Sequence, residues 1–307
     1  MFLRQALFIL ALVISVSAQS DQGASPCKST ATGDLEIREF SSAIFHNRRK
    51  LRVLLPAEYR EEKNASTTYP VLYLNDGQNL FDICTAIFGP KEWRVDETAN
   101  RLIAEGKVEP LIIVAIDNAG RHEKERLQVE RRQGSRPNEY LPFPDKELEP
   151  YIANVHGRNY PGFLTREVMP FIEKNYRVKT GPANTGLGGS SYGGLITFYV
   201  ALHTHQLFGR VLIESPSFYV KDFAVLKQAA KHKDWPARIY FGGGTDEAPP
   251  DSTETVAGWI DQAVKLLQAN GVGRDRVLVN VTPGHHDEDA WAARLAAALA
   301  FLFPGKQ

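Results

Sequence analysis

The sequence predicts an α/β fold in which a mostly parallel central sheet carries helices on both faces. Short β-branched apolar runs alternate along the chain with helix-length amphipathic segments, the signature of βαβ units. One run, Leu111-Ile112-Ile113-Val114-Ala115-Ile116, is apolar at every position, as a strand covered on both faces requires. No Pro/Gly/Ser linker and no internal repeat interrupts the pattern, so residues 45–305 are expected to form a single domain.

The elements follow in order. Leu51-Arg52-Val53-Leu54-Leu55 reads as a strand stopped by Pro56. Val71-Leu72-Tyr73-Leu74 reads as a short buried strand ending in the turn Asn75-Asp76-Gly77. After the strand at 111–116, residues 117–160 hold few apolar side chains, and Arg121 to Arg136 is dense in Arg, Lys and Glu. This segment leaves the sheet at the carboxyl edge, where open α/β sheets bind ligands, although most of its charges are expected to be solvated. Phe163, Leu164, Val168, Phe171 and Ile172 stand at helical spacing within 162–176. Leu195 to His203 reads as another helix. Val211-Leu212-Ile213, Arg238-Ile239-Tyr240-Phe241 and Val277-Leu278-Val279-Asn280-Val281 are further strands. Between the last two, Val256, Trp259, Ile260, Ala263, Val264 and Leu267 form one helical face, and a final helix is expected from about Asp289 to Phe303.

The 307 residues include 36 Lys+Arg against 36 Asp+Glu, so the formal net charge is zero and the basic excess of a nucleic-acid-binding protein is lacking. Arg4 and the apolar stretch Ala6 to Ala18, closing on Val16-Ser17-Ala18, read as a signal peptide cleaved after residue 18. The stretch is too short for a comfortable membrane span, and nothing like a stop-transfer follows. Residues 19–44 are expected to be an N-terminal arm, and the mature protein to be exported without stable membrane insertion. In an oxidising compartment, Cys27 and Cys84 can pair, pinning the arm to the loop after a central strand; two free or buried thiols are the alternative. No cysteine or histidine spacing matches a zinc site. The adjacent pair His285-His286 is poorly suited to share one ion, so neither metal nor cofactor is expected.

The chemistry centres on Gly189-Ser190-Ser191-Tyr192-Gly193. Chance alone supplies G-x-S-x-G in roughly one chain in ten of this length, so context must carry the reading. A nucleophilic serine needs this motif between a strand and a helix, because the sharp turn lifts its hydroxyl above the sheet. The helix after Ser191 is clear. The strand before it, Thr185-Gly186-Leu187-Gly188-Gly189, is poor in apolar bulk and is assigned from position, its glycines suiting a backbone that must pack closely. A serine hydroxyl needs a base, and the base an orienting carboxylate, in the chain order Ser, acid, His. Strand 238–241 runs towards Asp246 and Glu247, and strand 277–281 towards His285 and His286, two candidates in each place. His203 and His205 lack this setting and read as structural. The oxyanion hole would take one backbone N–H from Tyr192 and another from Gln78, in the turn after strand 71–74.

These segments resemble the putative esterase family, the α/β-hydrolases that include enterochelin esterases and feruloyl esterases. Tyr73-Leu74-Asn75-Asp76-Gly77-Gln78-Asn79-Leu80-Phe81-Asp82 and Gly186 to Gly194 carry the likeness, with Phe208 to Ser217 and His286-Asp287-Glu288-Asp289-Ala290-Trp291. Four motifs in register over residues 45–303 are far more specific than one. The resemblance implies the α/β-hydrolase fold, selects Glu247 over Asp246 as the acid, and selects His286 over His285 as the base. It implies Ser191, His286 and Glu247 as the catalytic set, with a small-molecule or carbohydrate ester as substrate. A siderophore ester is one expectation, with Arg and Lys from 121–136 meeting an anionic ligand. The alternatives are a feruloyl- or acetyl-carbohydrate ester, acyl transfer, and a non-catalytic binding protein of the same fold.

Overall fold

The computed structural model describes residues 27–119, 136–148, 152, 154–204, 206–248 and 254–305. The signal-peptide stretch, His205 and all of Arg121–Arg136 except Arg136 lie outside them. The fold is built on eight strands: β1 (Asp34–Ser42), β2 (Asn47–Leu55), β3 (Val71–Asn75), β4 (Ile112–Ile116), β5 (Thr185–Ser190), β6 (Arg210–Glu214), β7 (Arg238–Gly244) and β8 (Val277–Thr282). They form one sheet in the order β1-β2-β4-β3-β5-β6-β7-β8. β1 and β2 pair antiparallel, as do β2 and β4, and every other pair is parallel. This is the predicted mostly parallel α/β sheet. One boundary moves: residues 34–42, expected in the arm, are the first strand, so the sheet begins before residue 45.

The helices are α1 (Val95–Ala104), α2 (Arg136–Tyr140), α3, α4 (Tyr192–His203), α5 (Val220–Ala229), α6 (Val256–Ala269) and α7 (Glu288–Leu302). α3 is continuous but changes pitch, running through Tyr160–Phe163, a π-turn at Leu164–Val168, and Met169–Asn175. Pro170 has no N–H to return to the carbonyl four residues earlier, which accounts for a widened turn just ahead of it. Alternation along the strands divides the core. Leu72, Leu74, Ile113 and Ala115 face the layer of α1 and α7, with Leu102, Trp291, Leu295 and Leu299. Val71, Tyr73, Ile112 and Val114 face the opposite layer, with Phe163, Ile196, Val225 and Ile260.

The glycine-rich β5 is a strand at the centre of the sheet, buried at every position. A Cβ on Gly188 would stand 2.8 Å from the Leu212 Cβ and 2.9 Å from the Leu74 Cδ2. Neighbouring leucines already fill that space, so the absence of side chains is a packing requirement rather than a weak strand.

At the described end of the charged segment after β4, charges are buried in pairs. Glu139 in α2 is 3% exposed and accepts from both terminal nitrogens of Arg49, itself 2% exposed. The Arg49 guanidinium also lies 4.6 Å from the Phe163 ring centroid. Among the described residues, no helix is long and apolar enough to cross a membrane.

The arm is tied down. Cys27 and Cys84 form a disulfide with Cα atoms 5.6 Å apart. Ser29 donates to Asp82, Thr30 to Glu92, and both the amide and hydroxyl of Thr32 to one oxygen of Asp96. Asp96 is fully buried. Burial, with Glu97 beside it, pushes its carboxyl well above the ordinary aspartate value. The folded protein therefore keeps this proton where an unfolded aspartate has lost it. The resulting stability is present below about pH 4 and is lost as pH rises towards the raised value. Asp96→Asn mimics the protonated form and still accepts from Thr32. It is expected to raise Tm by roughly 2–4 °C at pH 8 and to change it little at pH 4. Thermal melts at the two pH values check this, and a lower Tm at pH 8 would refute it.

Candidate active site

The sequence-derived site residues all sit beyond the carboxyl ends of parallel strands. β3 and β5 are neighbours, with Leu74 opposite Gly188, so the turns that follow them are adjacent. Ser191 joins β5 to α4 with φ 57° and ψ −123°, a conformation that an L-residue adopts only when its surroundings impose it. Those surroundings are specific. The Ser191 amide donates to the Glu214 carbonyl at the end of β6, and the Ser191 carbonyl accepts from Leu195 in the first turn of α4. A Cβ on Gly189 would come within 2.9 Å of the Gly193 carbonyl, so only glycine permits so sharp a reversal. The Ser191 hydroxyl lies 3.4 Å from that of Ser217.

Gln78 occupies the short helical turn Gly77–Asn79 that follows β3, and the turn is entered through Asp76 in the left-handed region, φ 61°. The Gln78 and Tyr192 amides fall in the first turns of their helices, where the backbone offers N–H groups no internal acceptor. The turn is stiff. Asn118 donates its amide to Gln78 Oε1, Thr85 donates to the Gln78 carbonyl, and Asn79 closes onto the Asp76 carbonyl.

The structure separates the paired candidates. Glu247, 3% exposed, stands after β7 with Oε2 2.8 Å from His286 Nδ1. Its Oε1 accepts from the Ser215 hydroxyl at 2.8 Å and the Gly244 amide at 2.6 Å. Asp246 is exposed and, among the described residues, accepts from the neighbouring Thr245 hydroxyl. Both histidines are exposed, but His286 is the one bonded to Glu247, and its ring stands edge-on to Trp291 with centroids 5.2 Å apart. An ionised Glu247 can only accept, so the His286 proton belongs on Nδ1 and Nε2 is left free to take another.

Behind this pair lies a buried polar layer that the sequence reading missed. Trp291 donates its indole N–H to the Ser215 hydroxyl at 2.9 Å. Arg294, 2% exposed, binds Glu214 Oε1 through Nε at 2.8 Å and Nη2 at 2.7 Å, and reaches Glu247 at 3.5 Å. Burial pushes the Glu214 carboxyl up to about 7, with Arg294 pulling the other way. The available signal was an arginine, three residues after Trp291, on the apolar face of the last helix.

Arg136 is also placed differently from expectation. It is one of the Arg and Lys residues of 121–136 that the siderophore-ester expectation set against an anionic ligand, and the others lie outside the described residues. Instead Arg136 is bidentate to Asp76 at 2.7 Å for each bond, with a 12% exposed side chain. The guanidinium lies among the rings of Phe88, Tyr140 and Tyr192, 5.2–5.7 Å from their centroids. Phe88 is 53% exposed and Tyr219 37% exposed, and the Tyr219 and Tyr192 hydroxyls are 3.4 Å apart. An aromatic rim thus borders the Ser191 turn.

Residues 42–302 match the family described as "Putative esterase". The chain is 22% identical over 260 residues to the Bacillus subtilis protein YbbA, covering 83% of this chain and 92% of that one. It is 24% identical over 272 residues to an endo-1,4-beta-xylanase/feruloyl esterase of Xylanibacter ruminicola, covering 88% of this chain and 31% of that one. An iron(III) enterobactin esterase of Dickeya dadantii is 30% identical over 156 residues, 45% of this chain and 34% of that one. The chain therefore spans about a third of the length of those last two relatives. Among solved structures, a ferulic acid esterase from Anaeromyces mucronatus in complex with ferulic acid superposes with a TM-score of 0.61 at 20% identity. That match covers 90% of this chain and 92% of the other. The enterobactin esterase of Shigella flexneri, in the presence of 2,3-dihydroxy-N-benzoyl-serine, also gives 0.61 at 18% identity, over 89% of this chain and 61% of that one. At these identities the structures establish the shared α/β-hydrolase fold.

Proposed function

Because the chain belongs to the "Putative esterase" family, we propose that it is an exported serine esterase that cleaves a carboxylic ester through an acyl-enzyme on Ser191. The observation that carries this reading is the Glu247–His286 hydrogen bond of 2.8 Å at the sheet edge that presents the strained Ser191. His286 Nε2 takes the Ser191 hydroxyl proton as Oγ attacks the acyl carbon, and Glu247 stabilises the imidazolium. The Tyr192 and Gln78 amides hold the oxyanion of the tetrahedral intermediate. Its collapse breaks the ester bond, and His286 returns the proton to the departing alkoxide. Water, deprotonated by His286, then attacks the acyl carbon and releases the acid and free Ser191.

Export is supported by the Cys27–Cys84 disulfide, since such bonds persist in oxidising compartments. For the substrate, the rim of Phe88, Tyr192 and Tyr219 favours an acyl part bearing an aromatic ring. Ferulic acid and 2,3-dihydroxy-N-benzoyl-serine, found with the structural neighbours, both carry one. Comparing rates on a catecholate trilactone, a feruloylated sugar and an acetylated sugar ranks the candidate esters. An acetyl ester preferred over both aromatic ones would overturn the aromatic reading. A fluorophosphonate probe is expected to label the protein once, on the peptide containing Ser191, as read by mass spectrometry. Labelling at another serine, or none, would refute the proposed nucleophile.

A further inference from the structure

We infer that Arg136 is a positioning residue that clamps the two halves of the oxyanion hole at a fixed spacing. The inference rests on the esterase reading of Ser191 and deepens it. The two amides come from separate segments, one in the turn after β3 and one in the elbow after β5. Strand pairing fixes their bases at Leu74 and Gly188, but the turns project beyond the last paired residues. A small tilt of either would change the distance between the donors, and a misplacement of about 1 Å can cost 100-fold in rate.

Arg136 spans that junction. Nε and Nη2 hold the two oxygens of Asp76, the residue through which the Gln78 turn is entered. The same Nη2 donates to the carbonyl of Ser190, immediately before the proposed nucleophile, at 3.1 Å. One rigid planar group therefore ties the Asp76 turn to the elbow, which a flexible point charge cannot do as well. The Asp76 carboxylate is fixed in turn by Asn118 Nδ2 at 2.7 Å, and the Asp76 amide donates to the Tyr140 hydroxyl at 3.2 Å. A Cβ on Gly193 would meet Asp76 Oδ2 at 3.1 Å, so the carboxylate also packs directly on the first turn of α4. Nothing in this arrangement requires Arg136 to touch the substrate.

The test is steady-state hydrolysis of p-nitrophenyl acetate by the purified protein and by Arg136→Lys, Arg136→Met and the paired Asp76→Asn/Arg136→Met, with Tm measured for each. Arg136→Lys is expected to lower kcat about 10-fold and Arg136→Met about 100-fold, each with KM within about twofold. Affinity for a boronic acid, which forms a tetrahedral adduct on the serine, should fall by the same factor as kcat/KM. The paired variant leaves no lone buried charge, so it should recover Tm while kcat stays low. A kcat within about threefold of the parent in the single variants would overturn the clamp, as would a kcat that returns with Tm in the pair. Should Arg136→Met fail to fold, Arg136→Lys keeps the charge and decides by the same split between kcat and KM. Hydrolysis that survives Ser191→Ala would overturn the esterase reading instead. Ser191-dependent hydrolysis that is indifferent to Arg136 would overturn the clamp alone.

Discussion

Replacing Ser191 by alanine is expected to lower kcat on a small activated ester by a factor on the order of 10⁵–10⁶, with KM nearly unchanged. In the proposed mechanism the hydroxyl is the atom that becomes bonded to the acyl group, so its removal would close the two-step route and leave only direct attack by water. The Tyr192 and Gln78 amides would stay in place, which is why a residual rate above background is expected rather than none. Alanine has to occupy the same φ of 57°, so the turn keeps its strain and the fold its hydrogen bond from residue 191 to Glu214. Steady-state rates on p-nitrophenyl acetate, with Tm measured alongside, give the answer. A variant that keeps more than about a hundredth of the parent kcat, or that loses activity only because it has unfolded, would contradict the assignment.

The second large effect is expected at Glu247. Glu247→Gln should cost roughly 10³–10⁴ in kcat, while Asp246→Asn should stay within about twofold. Glu247 Oε1 is held by two donors, the Ser215 hydroxyl and the Gly244 amide. A glutamine would turn its carbonyl oxygen to those donors and its NH₂ to His286. The imidazole would then have to accept at Nδ1 and carry its proton on Nε2, the tautomer that cannot take a proton from serine. Asp246 is exposed and accepts from Thr245, whereas the ring is bonded to Glu247. At 1.36 kcal/mol per tenfold, the loss at Glu247 corresponds to about 4–5 kcal/mol of transition-state stabilisation. Equal effects at the two positions, or a larger one at Asp246, would reassign the acid.

Much of this layout was legible in the sequence because its physical causes are local. The all-apolar run at 111–116 can only be a strand buried on both faces, and β4 is that strand. Asn75-Asp76-Gly77 marked a turn, and the chain does enter a left-handed conformation at Asp76. The run Thr185 to Gly189 was the weakest strand by propensity because its stability does not come from its own side chains. Leu74 and Leu212 on neighbouring strands occupy the space over Gly188, and no local pattern encodes that. α1 and α5 were not expected from the sequence, because ten residues give too few turns for apolar periodicity to mark them.

The charged segment after β4 shows the limit more sharply. By composition Arg136 and Glu139 belonged to a solvated loop, yet both are buried in ion pairs with Asp76 and Arg49. Their partners lie 60 and 90 residues away in sequence. A charge is buried only where a partner at long range meets it, and periodicity carries no information about such meetings.

The sequence by itself determined the α/β class, the turn that holds Ser191, and the shortlist of two carboxylates and two histidines, each just past a strand. These follow from residue spacing, because backbone sterics and hydrophobic alternation act over a few residues. The tertiary structure alone decided that Cys27 reaches Cys84 and that Arg136 turns to Asp76, and it set Glu247, which the family resemblance had already favoured over Asp246, against His286. Adjacent residues share a composition but leave a strand end in different directions, and only the packing of distant segments fixes which of them points at its partner.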